Sequence, residues 1–380
     1  MRVLRARLAP IRLRLRAPLD TARGALAERR GVLLRLDTDD GRVGWGEATP
    51  VAGFGQESAE AAGDALAKLA ALAVGREPRE LDALLDRAER LAPEHPAARF
   101  ALDTALHDLV AQGEGRSLAS WLASRRRAGA RAAVRVAVHA LLSARDPDGA
   151  ADEALRLVAQ GFRTLKLKLG AAAPERDLAR VAAVRAAVGP RIALRLDANG
   201  AWSPDDAVVH LLALAPFAPE WIEQPVPAED VAGLARVRAR AGVPVAADES
   251  ATTRERAEAV IAAGAADLLV LKPAAAGGLR AAARLAELAR EAGLAVVVTS
   301  VLDGAVGRAA ALALAASLPG PLPACGLATG ALLADDLAPD PPVVRGALAV
   351  PPGPGLGCAP DPARLAGVSV ASGFELAAAG

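Results

Sequence analysis

TLKLKLG (164–170), IALRLDANG (192–200), EWIEQPV (220–226), PVAADES (244–250) and LLVLKP (268–273) are the stretches whose reading decides the fold. Each is a short β-like run ending in turn residues, and each carries charge where a buried strand should be nearly all apolar. Outward from these five, AVRVAVHALL (133–142) precedes them, AVVVTSVLD (295–303) follows, and ACGLATG (324–330) adds a weaker eighth run. Helical patterns such as ERDLARVAAVRAAVG and LRAAARLAELAREAG fill the gaps, the second closing on Gly293 as a C-cap. Eight β runs alternating with helices over some 200 residues predict an α/β fold of the (β/α)₈ barrel type. The competing doubly wound sheet would bring a GxGxxG after an early strand, and none is present.

The rest of the chain divides around this barrel. Residues 1–50 alternate with period two in RVLRARLAPIRLRLR and GVLLRLDTDDGRVGWGEATP, with Asp39-Asp40-Gly41 as the turn between two strands. From Glu57 to about Ser124 the period becomes helical. The predicted organisation is an α+β capping domain over 1–130, a barrel carrying the catalytic site over 131–330, and a C-terminal segment, 331–380, that returns to the cap. That last segment is rich in Pro and Gly (DPPVVRGALAVPPGPGLG) and is expected to be irregular.

Composition narrows the classes of function. The 380 residues are 53% hydrophobic and 23% charged, with 45 Lys+Arg against 44 Asp+Glu and a net charge of +1. Such a balance gives no field for nucleic acid or an anionic membrane, and the arginines read as solvated helix faces. No uninterrupted 18-residue apolar run is present, and the basic N-terminus alternates charge with apolar residues as a strand does, unlike a signal peptide. A soluble, cytoplasmic protein with a small-molecule carboxylate as substrate is expected, and a homo-oligomer is compatible with the sequence. Cys325 and Cys358 are too few and too far apart for a zinc motif or a disulfide framework.

The charges at the strand ends carry the chemistry. From Lys168 the steps to Asp197, Glu223, Asp248 and Lys272 are 29, 26, 25 and 24 residues, each about one βα unit. In a barrel, Asp197, Glu223 and Asp248 then lie on three adjacent strands, and Lys168 and Lys272, four strands apart, face each other across the mouth where active sites lie. Three crowded carboxylates raise one another's pKa unless a cation holds them, and oxygen-only ligands favour Mg²⁺, with Mn²⁺ able to substitute. A lysine that acts as a base must lose its proton, so the pKa of Lys168 has to fall; Lys166, Lys272 and the divalent ion all push it down. The metal would bind a substrate carboxylate and Lys168 would remove the proton next to it.

At these residues the sequence resembles the enolase superfamily, muconate-lactonizing subgroup. The motifs that carry the resemblance are K-x-K (Lys166, Lys168), RLDANGAW (Asp197, Asn199), IEQP (Glu223), ADES (Asp248, Glu249) and LKP (Lys272). It extends over nearly the whole chain and implies a modified TIM barrel, (β/α)₇β, under an N-terminal α+β cap. A lysine base working with Mg²⁺ on an enediolate is the known chemistry of that superfamily. Within the subgroup, GWGEATPVAGFGQES (44–58), LVLKPAAAGGL, TSVLDGAVGRAA and ACGLATGALL are most similar to the o-succinylbenzoate synthase family. The resemblance implies a carbon–oxygen lyase of menaquinone biosynthesis that dehydrates 2-succinyl-6-hydroxy-2,4-cyclohexadiene-1-carboxylate. It further implies that Lys168 both takes the α-proton and returns it to the departing hydroxyl, that Lys272 stays cationic, that Glu249 orients a lysine, and that Ser300 and the loop Gly53, Phe54, Gly55 line the pocket. N-acylamino acid racemases share this catalytic set and stay open as an alternative, as do muconate cycloisomerases, which carry an acid where Asp303 stands. The Asp-x-Asp that dipeptide epimerases of the subgroup carry at strand 8 is absent from CGLATG.

Among the remaining polar residues, His139 in the first barrel run could face the site, and otherwise reads as a satisfied core or supporting histidine. Gly277-Gly278 after Lys272 reads either as a backbone anion nest or as a plain turn.

Overall fold

The computed structural model describes residues 1–21, 24–51, 57–127, 129–371 and 373–378. Its first sheet follows from the period-two alternation. Strands β1 (Val3–Thr21), β2 (Gly24–Thr38) and β3 (Val43–Ala48) run antiparallel. In β1, Ile11, Leu13, Leu15 and Leu19 are buried while Arg12, Arg14 and Arg16 face solvent. Of the four helices that follow, α1 (Ala59–Ala73) and α3 (Pro96–Gly113) cover the inner face, while α2 (Leu81–Leu91) packs on these two and α4 (Leu118–Arg126) on α3 and the barrel helix 305–317. The central helix α3 is buried on nearly every side. It packs so closely on β3 that a Cβ at Gly46 would lie 1.9 Å from the Ala101 carbonyl oxygen, and one at Gly44 2.4 Å from that of Ala105.

The predicted run 133–142 divides in two. β4 (Arg135–Ala137) pairs antiparallel with a strand of the tail, and only β5 (Ala140–Leu142) enters the barrel. β6 (Thr164–Lys168), β7 (Ala193–Asp197), β8 (Trp221–Glu223), β9 (Val245–Ala247), β10 (Leu268–Leu271) and β11 (Ala295–Val298) follow in consecutive parallel order. Their helices are α5 (Pro147–Ala159), α6 (Pro174–Val188), α7 (Pro204–Leu214), α8 (Val231–Arg240), α9 (Arg254–Ala262), the short α10 (Pro273–Ala276) with α11 (Leu279–Glu291), and α12 (Ala305–Ser317). Side-chain caps start many of them: Asp146, Ser203, Asp230 and Thr253 each accept from a backbone N–H of the first turn. The eighth run supplies only Cys325 and Gly326, which bridge the two open edges. Cys325 N donates to Ala137 O and Gly326 N to Val298 O, at 2.7 and 2.9 Å. The tail is less irregular than its composition suggests: β12 (Ala347–Ala349) pairs with β4, α13 (Pro362–Val368) follows, and β13 (Phe374–Ala377) joins the outer edge of β1.

Buried carboxylates of the cap fix it onto the barrel. Asp103 of α3 accepts from Leu279 N (3.0 Å) and Arg280 N (3.3 Å) at the start of α11, and Glu47 of β3 accepts from Gly304 N and Gly307 N at the start of α12. Both sit where the helix dipole and the unpaired N–H groups favour an anion. Asp108 takes the N–H groups of Trp45 and, from the tail, Leu356.

Candidate active site

Register builds the site. Lys168, Asp197 and Glu223 are directly paired across β6, β7 and β8, so they stand at one level on neighbouring strands. Asp248 and Lys272 follow the last residues of β9 and β10. The five expected residues are therefore gathered at one end of the barrel. Lys166, Lys168, Asp197, Asn199, Lys272 and Ser300 line a cavity of about 120 Å³, roofed by Leu19, Leu26 and Val51 of the cap.

The charges are strongly coupled. Lys166 Nζ lies 2.8 Å from Asp197 Oδ2 and 2.7 Å from Glu223 Oε1, and Lys272 Nζ donates to Asp248 Oδ2. Lys168 has a different kind of partner, donating at 2.7 Å to the neutral Oδ1 of Asn199. Burial lowers the pKa of Lys168, Asp197 opposes this, and the charges of Lys166 and Lys272 add to the fall. Burial also works against the charge of Lys272 and of Lys166, but in both it is outweighed by nearby carboxylates, so these two stay firmly protonated. Glu223 is pushed up to about 7 and Asp248 to about 6, first by burial and then by neighbouring carboxylates. Asp197 moves the other way, because Lys166 and Lys168 outweigh its burial.

Supporting residues hold this arrangement. Asn199, at φ 45°, bridges Lys168 to Glu249 through its Nδ2 (3.2 Å), so Glu249 reaches Lys168 through a neutral amide. Gln224, fully buried at φ 37°, accepts from Asp248 N and Ser250 N and donates to Ser250 Oγ, fixing the loop that carries Asp248. Sequence reasoning quoted Gln224 within IEQP but gave it no part; a polar residue directly after a strand-end acid was the available signal. Ser300 Oγ pairs with Thr329 Oγ1 at 2.7 Å.

One expectation needs correction, and one residue left open is now placed. Gly278 does not line the cavity: a Cβ there would lie 2.5 Å from Asp103 Oδ2, so the anion that meets this turn is the cap's own carboxylate. Asp303 does not line it either. It is buried near Arg29, Arg308 and Glu47 and accepts from Val301 N. Gly53, Phe54 and Gly55 lie outside the described residues.

The oxygen donors suit a hard divalent ion. Asp197, Glu223 and Asp248 are buried, on adjacent strands, and Asp248 Oδ1 has no hydrogen-bond partner. Among the described residues no three acids converge at ligating distance, and the ammonium groups of Lys166 and Lys272 are paired with these carboxylates.

Residues 5–123 match the family described as "Mandelate racemase / muconate lactonizing enzyme, N-terminal domain", and residues 149–364 match "Enolase C-terminal domain-like". The chain belongs to this family of the enolase superfamily and is an enzyme of the lyase or isomerase type. Superfamily members bind Mg²⁺. An o-succinylbenzoate synthase of Thermobifida fusca is 49% identical over 193 residues, which cover 50% of this chain and 59% of that protein. An L-Ala-D/L-Glu epimerase of Bacillus subtilis is 33% identical over 322 residues, covering 83% and 86%. A dipeptide epimerase of Enterococcus faecalis, crystallised with Mg and L-Leu-L-Tyr, superposes with a TM-score of 0.87 at 27% identity, covering 94% of this chain and 99% of that one. No helix among the described residues is long and apolar enough to cross a membrane.

Proposed function

We propose that this chain is an o-succinylbenzoate synthase, acting in menaquinone biosynthesis on 2-succinyl-6-hydroxy-2,4-cyclohexadiene-1-carboxylate. The observation that carries this reading is the inequality of the two lysines. Lys168, with a neutral partner and a lowered pKa, is fitted to accept a proton; Lys272, held by Asp248, Glu249 and Glu223, is fitted to remain a cation. A one-base elimination needs this division. Lys168 Nζ takes the proton α to the carboxylate, the electron pair forms the new ring double bond, and the C–O bond to the 6-hydroxyl breaks. The same proton goes from Lys168 to the leaving oxygen, giving water and restoring the neutral amine. Lys272 offsets the negative charge that develops between these events. Asp197, Glu223 and Asp248 would hold Mg²⁺, which when bound supplies Lewis-acid stabilisation of a substrate carboxylate.

The cavity lining agrees with a substrate that has no ammonium group. On the side of the eighth run it offers Gly326, Thr329, His139 and Ser300, with no carboxylate among the described residues there to pair a dipeptide's cation. The greater local identity to an o-succinylbenzoate synthase, over half the chain, points the same way. A second reading, racemisation of N-acylamino acids, is favoured by the presence of both lysines and by epimerase and racemase relatives matched over about four-fifths of this chain. It would require Lys272 to act as a base for one enantiomer. The muconate cycloisomerase alternative draws on solved muconate-lactonizing and chloromuconate cycloisomerase structures at 29% identity, although Asp303 does not line the cavity.

A steady-state assay with the cyclohexadiene substrate tests the first reading: o-succinylbenzoate should form, and EDTA or Lys168→Ala should abolish its formation. Exchange of the α-proton with solvent deuterium from both enantiomers of an N-succinylamino acid, without dehydration activity, would replace it with the second.

A further inference from the structure

Arg195, two residues before Asp197 on β7, is a fully buried cation inside the barrel. It is over-determined: Nε donates to Glu220, the guanidinium lies 3.7 Å over the ring of Trp221, and Nη1 donates to the Ala324 carbonyl. Nη1 also lies 3.0 Å from Nδ1 of His139. Nδ1 also lies 3.3 Å from the Ala324 carbonyl oxygen, but that oxygen already accepts from Arg195, and the shorter contact is with a guanidinium, which has donors only, so we assign Nδ1 as the acceptor. His139 is then neutral and carries its proton on Nε2. Burial and the charges of Arg195 and Lys166 keep the ring unprotonated.

His139 lines the same cavity as the lysines, and Nε2 has no partner among the described residues. A second donor stands nearby. Thr299, also on the lining and almost wholly buried, has a hydroxyl without a hydrogen-bond partner. The two side chains are neighbours across Gly326: a Cβ there would lie 2.8 Å from Thr299 Cγ2 and 3.1 Å from His139 Cε1. The Thr299 hydroxyl is a buried donor left unpaired, and His139 Nε2 is a ring nitrogen without a partner among the described residues on the same cavity; both are paired when a ligand supplies an acceptor.

We infer that His139 Nε2–H and the Thr299 hydroxyl form an oxygen-acceptor subsite between the first, seventh and eighth barrel segments, and that Arg195 is the positioning residue that fixes the His139 tautomer. The subsite takes a neutral or anionic oxygen of the substrate, a carbonyl or carboxylate remote from the carbon that loses its proton. It deepens the proposed function and rests on it for the identity of the substrate; under that reading the acceptor belongs to the succinyl group.

Long-range ¹H–¹⁵N spectra of the full-length protein labelled with ¹⁵N-histidine read the tautomer without any substrate, and His139→Gln assigns the signal. The expected pattern is Nε2–H in the wild type and a change to Nδ1–H, donating to Ala324 O, in Arg195→Met. A wild-type Nδ1–H signal overturns the inference, and this readout stands even if Arg195→Met does not fold. In kinetics, His139→Leu should raise KM about 10- to 100-fold with a smaller change in kcat, while His139→Gln, which keeps a donor at similar reach, should stay within about 3-fold. An unchanged KM in His139→Leu overturns the subsite. If the wild type fails to dehydrate the cyclohexadiene, the proposed reaction is wrong, and the kinetic arm is repeated on the N-succinylamino acid it racemises.

Discussion

Glu47, Asp103 and Asp108 in the seam between cap and barrel are as deeply buried as Asp197, Glu223 and Asp248 at the barrel mouth. Their partners differ. In the seam, backbone N–H groups of helix starts and loops meet the carboxylates, with the side chains of Thr49, His107 and Gln112 beside them; the backbone donors are fixed by the fold. At the mouth the partners are lysine ammonium groups on flexible stems, and Asp248 Oδ1 and Glu249 Oε2 are left unmet. A buried acid is thus no sign of chemistry by itself. A buried acid whose partners are mobile, and whose oxygens are not all satisfied, is open to a ligand.

This contrast can be broken most sharply at Lys168. Lys168→Ala should lower kcat by about 10²- to 10⁴-fold, the span of a lost general base, while the thermal midpoint stays near that of the wild type. A comparable loss of stability would make Lys168 a structural residue. Next in size is Gln224→Ala, which frees the loop bearing Asp248 without touching a carboxylate. The Mg²⁺ concentration that half-restores activity after chelation should rise about 10- to 100-fold. In the seam the order should reverse: Asp103→Ala should cost about 2 kcal/mol in urea unfolding, as expected for a lost helix cap, with kcat changed less than in either mouth variant.

The smallest effect concerns pH. Burial, with the charge of Asp303, pushes Glu47 up to about 7 from an ordinary value of 4.5. The folded protein therefore holds this proton more tightly than the unfolded chain does. The stability gained is full below about pH 4.5 and is lost as pH rises through 7. Between pH 5 and 8 the urea midpoint of the wild type should fall relative to that of Glu47→Gln, and parallel profiles would contradict the assignment.

Much of the mouth was legible in the sequence because charge inside an apolar strand is conspicuous. Lys168, Asp197, Glu223, Asp248 and Lys272 stood out against Leu, Ile and Val, and βα spacing ordered them. Arg195 has the same standing yet was passed over. It shares RLD with Asp197, and nothing in one dimension shows that its partners come from Trp221, His139 and Ala324, on other segments of the barrel. The seam was illegible for a related reason: Asp103 sits in a helical pattern 176 residues from the N–H groups it caps. Closure of the barrel by only Cys325 and Gly326 matches the weakness of that eighth run. The sorting of Arg135–Ala137 away from the barrel depends on Ala347–Ala349, which no local pattern announces.

The pairing of Phe374–Ala377 with Arg5–Leu8 carries a consequence for biogenesis. The outer edge of β1 is among the first parts of the sheet to leave the ribosome, and its partner is made some 370 residues later. At translation rates of about 5–20 residues per second the wait is on the order of tens of seconds. During that interval an open strand edge could recruit another nascent chain. Arg5, Arg7, Arg12 and Arg14 lie along that strand. Charged side chains along an edge oppose edge-to-edge pairing, so the composition of the strand itself disfavours that association.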